Sequence, residues 1–214
     1  MSILKPIVDN VVLRVMSFAH PNGLDILLAA IASPLLLIPA EVYNFDQSSI
    51  ALNESEESLS ELARGLRYAT RKVYELPLRE ATRYQIWLKN SEQLDKHLSQ
   101  QSLQIQTLTL QELDKRDELQ QVHLIGRGEA ACIILAQRYE LQAVFLSSDE
   151  KACKVAGLLG INHTTILEIL DRWIVNLQPS KELFEELITG MKTAKFGLKE
   201  IDFTQLKNRF SGNG

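Results

Sequence analysis

Short apolar runs alternate with longer stretches of helical spacing, and that alternation limits what this chain can fold into. Residues 7–16 (IVDNVVLRVM) are rich in β-branched side chains and predict a buried strand running into a helix. Residues 35–38 (LLLI) lie between prolines and predict a second buried strand, and 143–146 (AVFL) a third. Residues 103–108 (LQIQTL) alternate apolar and polar, as in a strand with one wetter face. Between these runs, 23–32 place Leu24, Leu27, Leu28 and Ile31 on one helical face, and 40–46 turn helical. Residues 126–139, 148–159 (closed by Gly160), 164–177, 181–191 and 203–210 also read as helices, and Ile161 opens another short apolar segment. Buried strands joined through helices pair in parallel by right-handed crossovers. The predicted fold is therefore three-layer α/β with a central parallel sheet.

One region departs from this rhythm. Residues 47–101 form two polar, charged segments separated by Pro77. Leu59, Leu62, Leu66 and Val73 fall near one stripe, and Ile86, Leu94 and Leu98 near another, which predicts a helical hairpin. Ser55 or Ser58 suits the first cap. The 214 residues read as one domain, with this insertion at about 47–101 and C-terminal helices at about 180–210.

Several classes are excluded. The most apolar stretch, 24–42, approaches the length of a membrane span, but Pro34 and Pro39 interrupt it. Asp9 and Arg14 break the run that a signal peptide needs. Neither Cys132 nor Cys153 belongs to a CxxC pair, which argues against a zinc ribbon or disulfide scaffold and suits a reducing cytoplasm. A net charge of −4 excludes a highly basic coat protein, though not an enzyme with a local basic patch. The four histidines show no ligand spacing and read as surface or turn residues.

Open parallel sheets place their reactive crevice beyond the carboxyl ends of the strands. Asp9 lies inside an apolar run, Asp149 just after AVFLSS, and Glu129 in the first turn of a helix opened by Gly126 and Gly128. Each also has a bland reading: a turn cap, a helix-dipole partner and an N-cap, respectively. Together, three carboxylates at one sheet edge repel, and a divalent cation relieves them; oxygen ligands favour Mg²⁺ or Mn²⁺. Such a cation activates water and steadies charge developing on a phosphoryl group.

These segments resemble the PIN-domain family, in particular nucleases related to VapC-type toxins. IVDNVVL (7–13) resembles that family's first strand, with Asp9 and Asn10 at its acid and small polar positions. LLLIPAEVYNF (35–45) resembles the second strand and its helix. GRGEAACIILA (126–136) resembles the helix carrying a central acid, here Glu129. FLSSDEKACKVAGLLGI (145–161) resembles the last acid strand, with Asp149 and Ser147 in place. The resemblance implies metal-dependent hydrolysis of RNA phosphodiesters, with one or two Mg²⁺ or Mn²⁺ ions on Asp9, Glu129 and Asp149. It implies that Asn10 and Ser147 hold metal-bound waters or orient a carboxylate. It also implies a toxin whose antitoxin blocks the crevice with an inserted Arg or Lys. Where relatives carry a further acid, this chain has Phe45. Asp46 or Glu41 are the substitutes, although Asp46 points about 100° away on a helix. Position 148 is Ser where some relatives have Asp.

Arg64, Arg67, Arg71, Lys72, Arg79 and Arg83 gather around the hairpin with Tyr68, Tyr74, Tyr84 and Trp87, a pattern that stacks unpaired bases. The interleaved Glu57, Glu61, Glu75 and Glu80 favour a solvated, ion-paired face instead. Arg67, Arg71 and Arg127 are the candidate nucleic-acid contacts. Trp173, Ile174 and Leu177 read as core, or as a homodimer surface. Two other functions compete with the ribonuclease: a catalytically silent PIN-like module that binds nucleic acid or a protein, and a repair-type DNA nuclease.

Overall fold

The computed structural model describes residues 4–43, 61–194 and 199–212. Five parallel strands form one sheet in the order β3-β2-β1-β4-β5. They are β1 (Lys5–Val8), β2 (Leu36–Pro39), β3 (Leu103–Gln106), β4 (Ala143–Leu146) and β5 (Asn162–Thr164). The central strand β1 pairs with β4 from Lys5↔Ala143 to Val8↔Leu146, and with β2 at Ile7↔Leu37. The three inner strands are almost wholly buried, as parallel strands covered on both faces must be. The edge strand β3 leaves Ile105 half exposed, as its alternation predicts. At the other edge, β5 is the polar tripeptide Asn-His-Thr, so the apolar segment expected from Ile161 does not extend beyond Ile161 itself.

Helices flank this sheet. The helix α8 (Arg127–Tyr139) packs across β4, β1 and β2, with Ala130 to Ala136 buried. The helix α1 (Asn10–Ala19) lies among α2 (Gly23–Ala30), α5 (Leu78–Ser91) and α11 (Lys181–Ala194), and is buried almost all round. The short α3 (Ala40–Tyr43) leaves β2 directly. Phe45, Asp46, Ser55, Ser58 and Leu59 lie outside the described residues.

The hairpin consists of α4 (Glu61–Glu75) packed on α5, with Pro77 at the N-cap of α5. The second polar segment is not one helix. It breaks at Glu92, and α6 (Gln93–Ser99) follows. Side chains on both sides of the break serve α1, whose last carbonyls have no partners within the helix. The buried Gln93 Nε2 donates to Ser17 O at 2.9 Å and His20 O at 2.7 Å, and Asn90 Nδ2 donates to Phe18 O at 2.8 Å. Aromatic packing extends the same joint, with Phe18 against Trp87, Trp87 against Tyr84, and Tyr84 against Tyr68. Tyr84 and Trp87 are thus engaged in packing. Arg71 and Lys72 pair with Glu75.

One helix stands where the sequence suggests no element, and one expectation needs correction. The helix α7 (Leu110–His123) has no apolar stripe to announce it, because Leu110 and Val122 project into solvent while Arg116 and Leu119 are buried. Its signal is a capping box: Thr109 Oγ1 accepts the Glu112 N–H at 3.3 Å, and Glu112 Oε2 accepts the Thr109 N–H at 2.7 Å. His20 and His97 are not surface residues. Both are buried, His20 paired with Glu186, and His97 with Asp25 and Ser102. Burial holds the His97 imidazole below its ordinary range.

The remaining helices are α9 (Glu150–Leu158), α10 (Ile166–Leu177) and α12 (Glu200–Ser211). α10 packs on α2 and α12, which buries Trp173 and Ile174 in the chain's own core. No described helix is long and apolar enough to cross a membrane.

Candidate active site at the carboxyl edge of the sheet

The parallel β1, β4 and β2 all deliver their carboxyl ends to one edge. Asp9 follows β1 immediately, and its N–H extends the ladder to Leu146 O at 3.0 Å. Its side chain caps α1: Oδ1 accepts the Val12 N–H at 2.8 Å. Oδ2 accepts from Ser147 Oγ, the first residue after β4. Ser147 Oγ in turn accepts the Asp149 N–H at 3.1 Å. Asp149 caps α9, with Oδ1 accepting the Ala152 N–H at 2.7 Å. One hydrogen-bonded chain therefore runs from the Asp149 amide through the Ser147 hydroxyl to the Asp9 carboxyl. The cap readings of Asp9 and Asp149 are both correct, and they do not compete with chemistry, because each cap uses only Oδ1.

Glu129 is the third residue of α8 and half-buried. A Cβ at Gly126 would lie 1.9 Å from Glu129 Oε2, so the carboxylate is folded over the glycine that opens its own helix. The Glu129 carboxylate thus fills the space that a side chain at position 126 would enter.

These charges are felt at Asp9, which is 2% exposed. Burial pushes its carboxyl up to about 7. The bonds from Ser147 and Val12 pull it back, and the charges of Glu129 and Asp149 raise it further. The buried Cys132 thiol is pushed up by burial first, then by Asp9, Glu129 and Glu41. Glu41 therefore shares this edge, but its Oε1 accepts from Arg116 Nη1 at 3.1 Å.

By chemistry the donors suit a hard divalent cation: they are oxygen atoms, and one is a carboxyl that burial pushes up to about 7. By arrangement they do not yet form a cage. Among the described residues, no group of three or more His, Cys, Asp or Glu side chains is placed to hold a metal ion.

The other candidates fall as follows. Asn10 is buried beside Asp9 as the first residue of α1. Ser148 is not a stand-in acid; its Oγ accepts the Ile166 N–H at 3.3 Å and so helps start α10. Arg127 is exposed at the start of α8, two residues before Glu129, and Arg67 and Arg71 lie on α4. Sequence reasoning missed Arg116, buried on the helix it passed over. The only sequence signal for it was the capping box that marks that helix.

A family model described as a PIN domain matches residues 78–209, more than half of the chain, including Arg116, Glu129 and Asp149. No curated protein and no solved structure matches.

Proposed function

The chain belongs to the PIN-domain family, whose fold is of nuclease type, and from that premise we propose that it is a divalent-metal-dependent endoribonuclease. The observation that carries the proposal is Asp9, a fully buried carboxyl at a sheet edge, hydrogen-bonded to Ser147 and pressed by the charges of Glu129 and Asp149. Asp9, Glu129 and Asp149 would hold Mg²⁺ or Mn²⁺. Such a cation supplies Lewis acidity and a more acidic bound water for phosphodiester hydrolysis.

The chain's own residues set the conditions. Burial pushes the Asp9 carboxyl up to about 7, and its proton must leave before both oxygens can serve as anionic donors. Ser147 orients Oδ2 throughout, because its hydroxyl is fixed by the Asp149 amide. Asn10 flanks Asp9 and suits a water-holding role. We assign Arg127, near Glu129 in sequence, to a phosphate contact, with Arg67 and Arg71 on the hairpin as further candidate contacts. We extend the reading to a toxin whose antitoxin fills the acidic edge, working in the cytoplasm, where two free buried thiols stay reduced. A homodimer is compatible with it.

A second reading, a catalytically silent module, is favoured by one observation: the described acids form no metal-holding group. Cleavage of single-stranded RNA with and without Mn²⁺ separates the two. We expect metal-dependent cleavage that Asp9→Asn and Asp149→Asn abolish. Equal cleavage by all three proteins would identify a contaminant and remove the site assignment.

A further inference from the structure

Arg116 is a buried cation beside an acidic edge. Its side chain is 5% exposed. Nη1 donates to Glu41 Oε1 at 3.1 Å, while Nε and Nη2 donate to Asp117 Oδ1 at 2.8 and 2.5 Å. Glu41 is 16% exposed, and its second oxygen, Oε2, is buried. It follows β2 by two residues, as Asp9 follows the neighbouring parallel β1 by one. Val42, the next residue, touches Gly128, the residue before Glu129: a Cβ there would sit 3.4 Å from Val42 Cγ2. A fourth acid therefore reaches the edge that holds Asp9 and Glu129, yet its contact there is a guanidinium.

We infer that Arg116 is a built-in counter-ion that claims Glu41, so that Glu41 is a latent cation ligand of this edge and joins it only when the guanidinium is withdrawn. The inference rests on the metal-dependent reading above for the identity of the cation. Its physical basis is the cost of a buried ion without a partner. A pair so placed gains little net stability, but deleting one member leaves the other uncompensated. With Arg116 gone, Glu41 demands a cation, and the edge loses a positive charge that repels one. The forked geometry also explains why the counter-ion is Arg. A guanidinium engages Glu41 and Asp117 at once, whereas an ammonium offers a single compact charge.

Mn²⁺ titration calorimetry on the full chain tests this, with thermal melts confirming folding. Arg116→Gln should bind Mn²⁺ roughly tenfold or more tightly than the wild type, the scale of one nearby unit charge removed. The double variant Arg116→Gln/Glu41→Gln should fall back to about the wild-type affinity, and Glu41→Gln alone should bind more weakly, because it leaves Arg116 at the edge without its partner. Unchanged or weaker binding by Arg116→Gln overturns the inference, as does a gain that survives in the double variant. If Arg116→Gln fails to fold, Arg116→Met replaces it. Arg116→Gln/Glu41→Asp separates ligation from charge: it keeps the negative charge but shortens the reach, so the gain should be lost, and a gain that survives marks a charge effect and overturns the ligand role. Adding Asp9→Asn separates the two levels. If Arg116→Gln gains Mn²⁺ while Asp9→Asn changes nothing, Arg116 does act on Glu41, and the Asp9 metal site fails. No Mn²⁺ binding in the wild type or the folded Arg116 variant refutes both.

Discussion

The two flanks of β1 solve the same problem in different ways. On the β4 flank, the acids are Asp9 and Asp149, joined through Ser147 and turned onto the starts of α1 and α9. Among the described residues no cation pairs with Asp9, and burial pushes its carboxyl up to about 7. On the β2 flank, Glu41 has Arg116. A flank neutralised by a proton can release it and accept a metal; a flank neutralised by a buried guanidinium is closed. Reactivity at this edge is set less by how many acids reach it than by what already balances them.

Stability should show the contrast most strongly, through opposite signs. Glu41→Gln leaves Arg116 buried with only the half-exposed Asp117, and should cost roughly 2–4 kcal/mol in urea unfolding. Asp9→Asn should do the reverse. The folded carboxyl holds its proton up to about 7 and the unfolded one only to about 3.8, so between these values the folded state binds more protons and stability falls as pH rises. That penalty reaches at most about 4 kcal/mol above the window. Asn keeps the acceptor for Val12 but disturbs the Ser147 hydroxyl, so we expect a net gain of about 1–3 kcal/mol at about pH 8, shrinking towards pH 4. If Asp9→Asn destabilises equally at both pH values, the comparison breaks.

Ser147→Ala sharpens it. Losing the hydroxyl removes the bond that opposes burial at Asp9, and Mn²⁺ affinity should fall roughly 10–100-fold, as for other residues that orient a ligand. Ser148→Ala is the control; it should cost only about 1 kcal/mol and leave Mn²⁺ binding unchanged. Gly126→Ala should shift stability by less than about 1 kcal/mol, because the displaced atoms belong to a flexible carboxylate. It should nevertheless slow RNA cleavage roughly tenfold or more, since Glu129 must move. Thr109→Ala should cost about 1 kcal/mol from the cap of α7, with no change in metal affinity, because Arg116 lies about two turns further along that helix.

How much of this was legible follows from where each signal lives. Asp9 was visible because a carboxylate inside an apolar run is costly and therefore conspicuous. β1, β2 and β4 were visible for the same reason in reverse, since strands buried on both faces are continuous apolar runs. β5 and α7 were harder: a polar three-residue strand gives no periodicity, and α7 turns Leu110 and Val122 outwards while burying Arg116. The pairing of Arg116 with Glu41 spans 75 residues and joins two charges in charge-rich segments, so only the fold discloses it. Gly126 was noticed as a helix opener, but the carboxylate folded over it needed coordinates.

The central claim is that a divalent cation takes the place of the Asp9 proton at this edge. Mn²⁺ titration of the wild-type chain in two buffers of different ionisation enthalpy, at about pH 6 and about pH 8, measures that exchange. The account predicts tighter binding at the higher pH, with proton release at the lower one that disappears in Asp9→Asn. Binding that is independent of pH and identical in Asp9→Asn would contradict it.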